Sequence, residues 1–305
     1  MKIKNNAASA HIRSFSVLFL FTAGFTLYFL TTPPTVFAGL ILGAELKGVY
    51  EDNVAGALSD SRPGAGMNSG GGTMMQAAGM GSGTGMGGGT GMGSSTAMGN
   101  DRSTGDYSYT LSAEAGAYAN MSQQSSLFAK GLVERTSYGN YTEFNSTIAG
   151  MSAGAGTIFS DTVSGRFDLF GKVKRFGDTD RNSAAYGATV SIKENLSHYF
   201  WLRERMGYED NRADSILFSY TNATAGVVVG WNATDAMLLT LGYGYLQQKF
   251  AENGGKSVVN TGSIGLDRIL SKSWSVGAAY ERQIGKSAGA SATDNISSFA
   301  VQYAY

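Results

Sequence analysis

The chain has 305 residues, with 23 Lys and Arg against 23 Asp and Glu, two histidines and no cysteine. The lack of cysteine excludes thiolate catalysis and zinc–thiolate sites, and the balanced charge argues against nucleic-acid binding, which requires a concentrated basic face. Charged residues make up only 15% of the chain, so its polar character is carried by Ser, Thr, Asn and Gly.

The first 38 residues have the organisation of a secretory signal peptide. Three basic residues precede an apolar run over residues 15–30, and the sequence Val-Phe-Ala ends at Ala38. Small or apolar groups at positions −3 and −1 predict cleavage after Ala38. A retained membrane anchor is the alternative, but the run is shorter than the roughly 20 residues that a spanning helix needs. We therefore expect residues 39–305 to form the exported protein.

The mature chain alternates apolar and polar residues at the period of a β-strand. Outside a low-complexity block at residues 55–105, it divides into about twelve such segments. They span approximately residues 41–53, 106–119, 126–138, 141–158, 162–176, 183–195, 199–210, 215–231, 236–250, 257–269, 273–285 and 295–305. Short turns follow the even-numbered segments and longer polar loops follow the odd-numbered ones.

This asymmetry is typical of a transmembrane barrel with both termini in the periplasm. Beyond residue 38 no apolar run reaches spanning length, so a membrane-embedded mature chain would have to be a closed barrel. The sequence predicts an all-β fold: an antiparallel up-and-down β-barrel of about 12 strands, in which residues 55–105 form a long, disordered first extracellular loop.

Ionisable residues fall on the polar faces of several predicted strands. In a soluble sandwich these charges would be buried without an obvious complement, which favours a water-facing barrel interior. The pore-lining candidates are Arg166, Asp168, Lys172, Lys174, Arg203, Arg205 and Glu281. The densest basic set, Lys172, Lys174, Arg203 and Arg205, predicts a local positive patch. The alternative is a lumen closed by opposite charges that pair with one another.

The last segment places aromatic and aliphatic residues at every second position. Phe299, Val301, Tyr303 and Tyr305 share one face, which we expect to contact lipid while the strand pairs with the first strand and closes the barrel. A strand that ends on an aromatic ring, with no tail, is consistent with such a seam.

The leader, the alternating segments, the aromatic residues near strand ends and the terminal FAVQYAY together resemble Gram-negative outer-membrane β-barrel proteins of the porin-like kind. The resemblance implies that the last strand is the signal read by the barrel-assembly machinery, although Tyr305 stands where Phe is commoner. It also implies outer-membrane lipid and lipopolysaccharide as the surroundings. The segments GAELKGVYEDNV and GDYSYTLSAEAGAY are similar to barrels associated with polysaccharide export.

The low-complexity block contains a six-residue repeat with methionine at positions 80, 86, 92 and 98. The thioethers of Met80, Met86, Met92 and Met98 are soft ligands that suit Cu(I). A Gly-rich, solvated loop in which methionine is incidental explains the same pattern, and a loop that folds inward to narrow the pore is a third interpretation.

Catalytic signals are few. After cleavage His198 is the remaining histidine, and it falls in a predicted periplasmic turn, away from outer-leaflet substrates. No nucleotide-binding motif is present, so the sequence implies no cofactor and no enzymatic activity. We expect a small porin-like channel for ions or hydrophilic solutes; the competing class is a non-conducting barrel for surface display, export or assembly. Neither a specific solute nor an oligomeric state is indicated.

Overall fold

The computed structural model describes residues 38–52, 105–252, 254–287 and 290–304. In these ranges, twelve antiparallel strands form a closed barrel in which each strand pairs with its sequence neighbours and the first pairs with the last. The strands are β1 (Ala38–Glu51), β2 (Asp106–Asn120), β3 (Ser125–Tyr138), β4 (Ser146–Ile158), β5 (Val163–Phe176), β6 (Ser183–Asn195), β7 (Phe200–Ala213), β8 (Tyr220–Thr234), β9 (Met237–Phe250), β10 (Lys256–Ile269), β11 (Trp274–Ser287) and β12 (Ala290–Ala304). No helix in the described ranges is long and apolar enough to cross a membrane.

The predicted barrel of about twelve strands is confirmed, but several strand ends differ from the prediction. β4 and β8 begin about five residues late because short 3-10 helices, Thr142–Phe144 and Ile216–Phe218, precede them. Phe144 packs on Tyr138, with ring centroids 5.9 Å apart, so apolar residues here stabilise a loop and do not extend a strand. The predicted loop at residues 286–294 is also wrong over most of its length, since β11 and β12 continue into it.

Side-chain oxygens close the connections at both ends of the barrel. At the end with short turns, which we call the turn end, one serine in each of four turns accepts hydrogen bonds from backbone N–H groups two and three residues later; these are Ser122, Ser160, Ser197 and Ser271. At the opposite end, the loop end, the side chains of Asn145, Asn182 and Ser219 accept a hydrogen bond from the backbone N–H of the last residue of the preceding strand. Each loop is thereby fixed to its own strand.

Period-two alternation divides each strand between an inward and an outward face. The outward face is apolar and exposed: Phe299, for example, is 55% exposed. Aromatic side chains gather near the turn end, where Phe200 stacks on Trp231 and Trp274 contacts Tyr303. Exposed tyrosines include Tyr186 and Tyr208 toward the loop end, and Tyr243 and Tyr280 in the middle of their strands. The last residue, Tyr305, lies outside the described residues.

The seam between β1 and β12 is closed by side chains as well as by the backbone. Near the turn end, Gln302 donates to Glu45 at 2.6 Å. At the loop end, the backbone N–H and the side-chain amide of Asn295 donate to Asp52 at 2.8 and 2.6 Å. Burial alone would raise the pKa of the Asp52 carboxyl group, but these hydrogen bonds outweigh it and lower the pKa. The Asp52 carboxylate is therefore a fixed anion at the loop end.

Candidate functional site: the charged barrel interior

Small residues occupy much of the inward face. On β4, for instance, the inward positions include Gly150, Ser152, Gly154 and Gly156. An eight-stranded barrel is just filled by its side chains, whereas sixteen or more strands leave an aqueous channel. A twelve-stranded barrel lies between these sizes, so the large inward side chains determine how much of the interior remains open.

On β3, β5 and β7, an inward aromatic ring lies against a glycine of the next strand. A Cβ atom at any of these glycines would overlap the ring, so only glycine allows the close approach. The pairs are Phe128 with Gly154, Phe170 with Gly187, and Trp201 with Gly230. The rings are consequently held against the barrel wall and do not project across the lumen.

Each of these rings has at least one cation placed over it, including Lys172 over Phe170. The guanidinium of Arg166 lies 3.7 Å from the centroid of Phe128. The ammonium of Lys193 and the guanidinium of Arg203 lie 5.3 and 5.1 Å from the Trp201 ring. Cations within about 6 Å of a ring are attracted by its quadrupole. The rings therefore hold these cations in place along the wall.

Four cations near the turn end form what we call the basic arc: Arg166, Lys193, Arg203 and Arg205. Lys193 pairs with Arg203 across β6 and β7. Ser191 of β6 pairs with Arg166 of β5 on one side and with Arg205 of β7 on the other. The three arginines repel one another, and Lys193 is repelled by Arg203. Asp168 is buried and binds Arg166 at 2.6 Å. The arc therefore carries an excess of positive charge.

Two of the predicted basic residues belong to a different cluster nearer the loop end. Lys172 and Lys174 both bind Glu209, at 2.7 and 3.1 Å, and Lys174 also donates to the Tyr220 hydroxyl at 3.1 Å. The side chains of both lysines are at most 5% exposed. The predicted set of Lys172, Lys174, Arg203 and Arg205 thus divides into a lysine pair that shares one carboxylate and part of the basic arc.

Acidic side chains dominate other strands of the interior, which we call the acidic wall: Glu45 on β1, Glu134 on β3, Asp267 on β10 and Glu281 on β11. Lys47 lies among them and interacts with Glu45, Glu134 and Glu281. In a closed ring of twelve strands, β1 and β7 are six strands apart in either direction. The strand of Glu45 is therefore opposite the strand that carries Arg203 and Arg205.

All seven pore-lining candidates from the sequence lie on inward faces. The same alternation also predicts an inward position for Lys193, which the register shows. Glu209 was not predicted, although it lies two alternating positions beyond Arg205. His198 packs edge-on against Tyr199 in the β6–β7 turn. No group of three acidic or histidine side chains in the described ranges could hold a metal ion. The four methionines of the repeat lie outside those ranges.

The comparison with known proteins identifies the fold. No protein-family model matches the sequence, and no curated protein matches it. Among solved structures, an outer-membrane channel from Pseudomonas putida F1 has a TM-score of 0.58 at 6% identity, over 90% of this chain and 100% of that one. KdgM porin, solved with disordered oligogalacturonate, has a TM-score of 0.41 at 12% identity, over 66% and 98%. NanC porin has a TM-score of 0.44 at 10% identity, over 64% and 93%. The chain shares the fold of outer-membrane channels.

The Lys172–Glu209–Lys174 cluster predicts a large effect on stability. In Glu209→Gln the shape is kept but two buried ammonium groups lose their counter-charge, and breaking a buried ion pair costs about 3 kcal/mol. We expect a correspondingly lower urea midpoint for the folded barrel, measured by tryptophan fluorescence. Asp210→Asn, one residue away in an exposed pair with Arg212, is the control and should change little. Equal midpoints for Glu209→Gln and the wild type would contradict this account.

Proposed function

We propose that the mature chain is an outer-membrane channel of the porin-like kind, which passes ions and small hydrophilic solutes without catalysis. The turn end, where the described chain begins and ends, would face the periplasm, and the loop end would face outward. The proposal includes insertion by the barrel-assembly machinery through the outward aromatic residues of β12, and contact of the loop end with lipopolysaccharide.

One observation carries the proposal: charged side chains on the inside of the barrel remain partly exposed. Lys193, Arg203 and Arg205 on one side, and Glu45 and Asp267 on the other, are all of intermediate exposure. Ionised groups require water or a counter-charge, and a dry interior would make them costly. Their partial exposure supports a hydrated lumen at this level of the barrel.

The arrangement of charge supports a role in selecting solutes. Opposite charges on opposite walls produce an electric field across the lumen, and such a field acts strongly where the walls are of low dielectric constant. The field would orient a polar solute during passage. The pairs Arg166–Asp168 and Lys130–Glu114, at 2.6 and 2.7 Å, favour the competing non-conducting barrel, since charges that pair can also narrow a lumen.

Channel activity is tested by single-channel recording of the refolded mature protein in a planar bilayer with a salt gradient. We expect stable open steps. Arg203→Gln with Arg205→Gln should shift the reversal potential toward cation preference, because two positive charges leave the lumen. Glu45→Gln with Asp267→Asn should shift it in the opposite direction. Silence from protein shown by circular dichroism to be folded would reject the channel and favour the non-conducting barrel.

One outward residue tests the membrane placement. Glu204 lies on the same face of β7 as Phe200 and Tyr208, midway between them, and pairs with Ile192 and Val227. A carboxylate in this position would face the lipid interior, where ionisable side chains are destabilising.

We therefore expect Glu204→Leu to stabilise the barrel in phospholipid vesicles, by about 1 kcal/mol. The change should appear as a higher urea midpoint. Glu194→Leu, at the turn end of β6 where the side chain meets water, is the matched control and should not stabilise the protein. A lower midpoint for Glu204→Leu would show that this face contacts something other than lipid.

A further inference from the structure

The cations on one side of the barrel interior outnumber the acids. On the described inward faces of β5, β6 and β7, six cations stand against two acids, Asp168 and Glu209. Glu209 is engaged by Lys172 and Lys174. Asp168 accepts three hydrogen bonds from Arg166, at 2.6 to 3.0 Å. The remaining positive charge is concentrated in the basic arc.

We propose that the basic arc is a binding site for a solute that carries a phosphate or carboxylate group, so that small oxyanions are the substrate class of the channel. The inference rests on the proposed function for its biological role, but the site itself can be tested without conduction. Lys193, Arg203 and Arg205 would contact the anion, and Arg166 would add to the field.

The spacing of these cations suits an oxyanion. Arg203 and Arg205 lie two residues apart on one face of β7, and Lys193 faces Arg203 across the strand pair. Like charges directly across a strand pair are destabilising, and a bound anion between them removes the repulsion. Arginine presents a planar fork of donors that matches phosphate and carboxylate geometry. Ser191 places a hydroxyl between Arg166 and Arg205 in the register.

The site is also pre-organised. Trp201 is only 4% exposed, held flat over Gly230, and it supports both Lys193 and Arg203. An aromatic support places a cation without neutralising it, whereas a carboxylate partner would cancel its charge. Because the side chains already occupy defined positions, less rotamer freedom is lost when an anion binds.

The acidic wall adds directionality to the site. Glu45, on the strand opposite Arg203 and Arg205, repels an anion toward the basic side, as does Asp267. A solute with a negative group at one end would therefore travel with that group along β6 and β7. A channel with positive charge all round would hold the same solute without orienting it.

The test uses inorganic phosphate as the probe, on the mature protein in a planar bilayer at constant ionic strength. We expect phosphate to reduce the chloride current in a saturable manner. The concentration for half-block should rise about tenfold in Arg203→Gln with Arg205→Gln, since two charge contacts are lost. The matched control is Arg268→Gln with Arg282→Gln, which removes two outward arginines. Phosphate should halve its chloride current at the same concentration as in the wild type. Acetate carries a single negative charge, so block by acetate shows whether the site prefers doubly charged anions or binds small oxyanions in general.

The possible outcomes distinguish a failure of the anion-site proposal from a failure of the channel proposal. A conducting wild type with no saturable block, or the same block in the basic-arc variant, overturns the anion site and leaves the channel intact. If the folded wild type does not conduct, the channel proposal fails. The anion site is then tested by whether phosphate protects the folded protein against urea unfolding. Protection that is lost in Arg203→Gln with Arg205→Gln supports the site, and equal protection in both proteins overturns it.

Discussion

Hydrogen-bond closure between β1 and β12 is the constraint on which the rest of the structure depends. Once the first strand pairs with the last, none of the twelve described strands has an open edge, and every residue must point either into the barrel or out of it. The period-two pattern then decides the chemistry of both surfaces at once. Apolar and aromatic residues cover the outside, and nearly all mid-strand charges are confined to the interior.

Closure also determines how large groups fit inside. A ring at an inward position would cross the lumen unless its neighbour leaves space, and Gly154, Gly187 and Gly230 provide that space. The rings lie along the wall and in turn support cations. Glycine, aromatic ring and cation form a repeated unit on β3 to β8, and this unit concentrates positive charge on one side of the barrel.

The distribution of acids completes the electrostatic asymmetry. Two lysines near the loop end share the carboxylate of Glu209, whereas the four cations of the basic arc near the turn end have Asp168 as their acidic partner. Acidic residues on β1, β3, β10 and β11 face this region from other strands. Charge on opposite walls is a property of the closed ring, since residues far apart in sequence face each other only after β12 meets β1.

The sequence predicts the fold well because alternation is a local signal that directly reports which face of a strand is buried. It also places the inward charges, for the same reason. It does not predict which charges pair: Lys172 and Lys174 look like Arg203 and Arg205 in the sequence, and only the register of β5 with β6 and β7 brings Glu209 to the lysines. β4 and β8 start about five residues later than the sequence predicts, because apolar residues of the preceding 3-10 helices, such as Phe144 and Phe218, resemble the first residues of a strand.

A hydrated interior with walls of opposite charge can be tested by thiol accessibility, because the chain has no cysteine of its own. Ser191 lies between Arg166 and Arg205 in the register, and Ser112 lies between Glu45 and Glu134. Single Ser191→Cys and Ser112→Cys variants in vesicles would be treated with anionic and cationic water-soluble thiol reagents. We expect faster reaction with the anionic reagent at Ser191→Cys and with the cationic reagent at Ser112→Cys. The outward variant Leu241→Cys should be protected by lipid. No reaction at either inward position, or the same charge preference at both, would contradict the account.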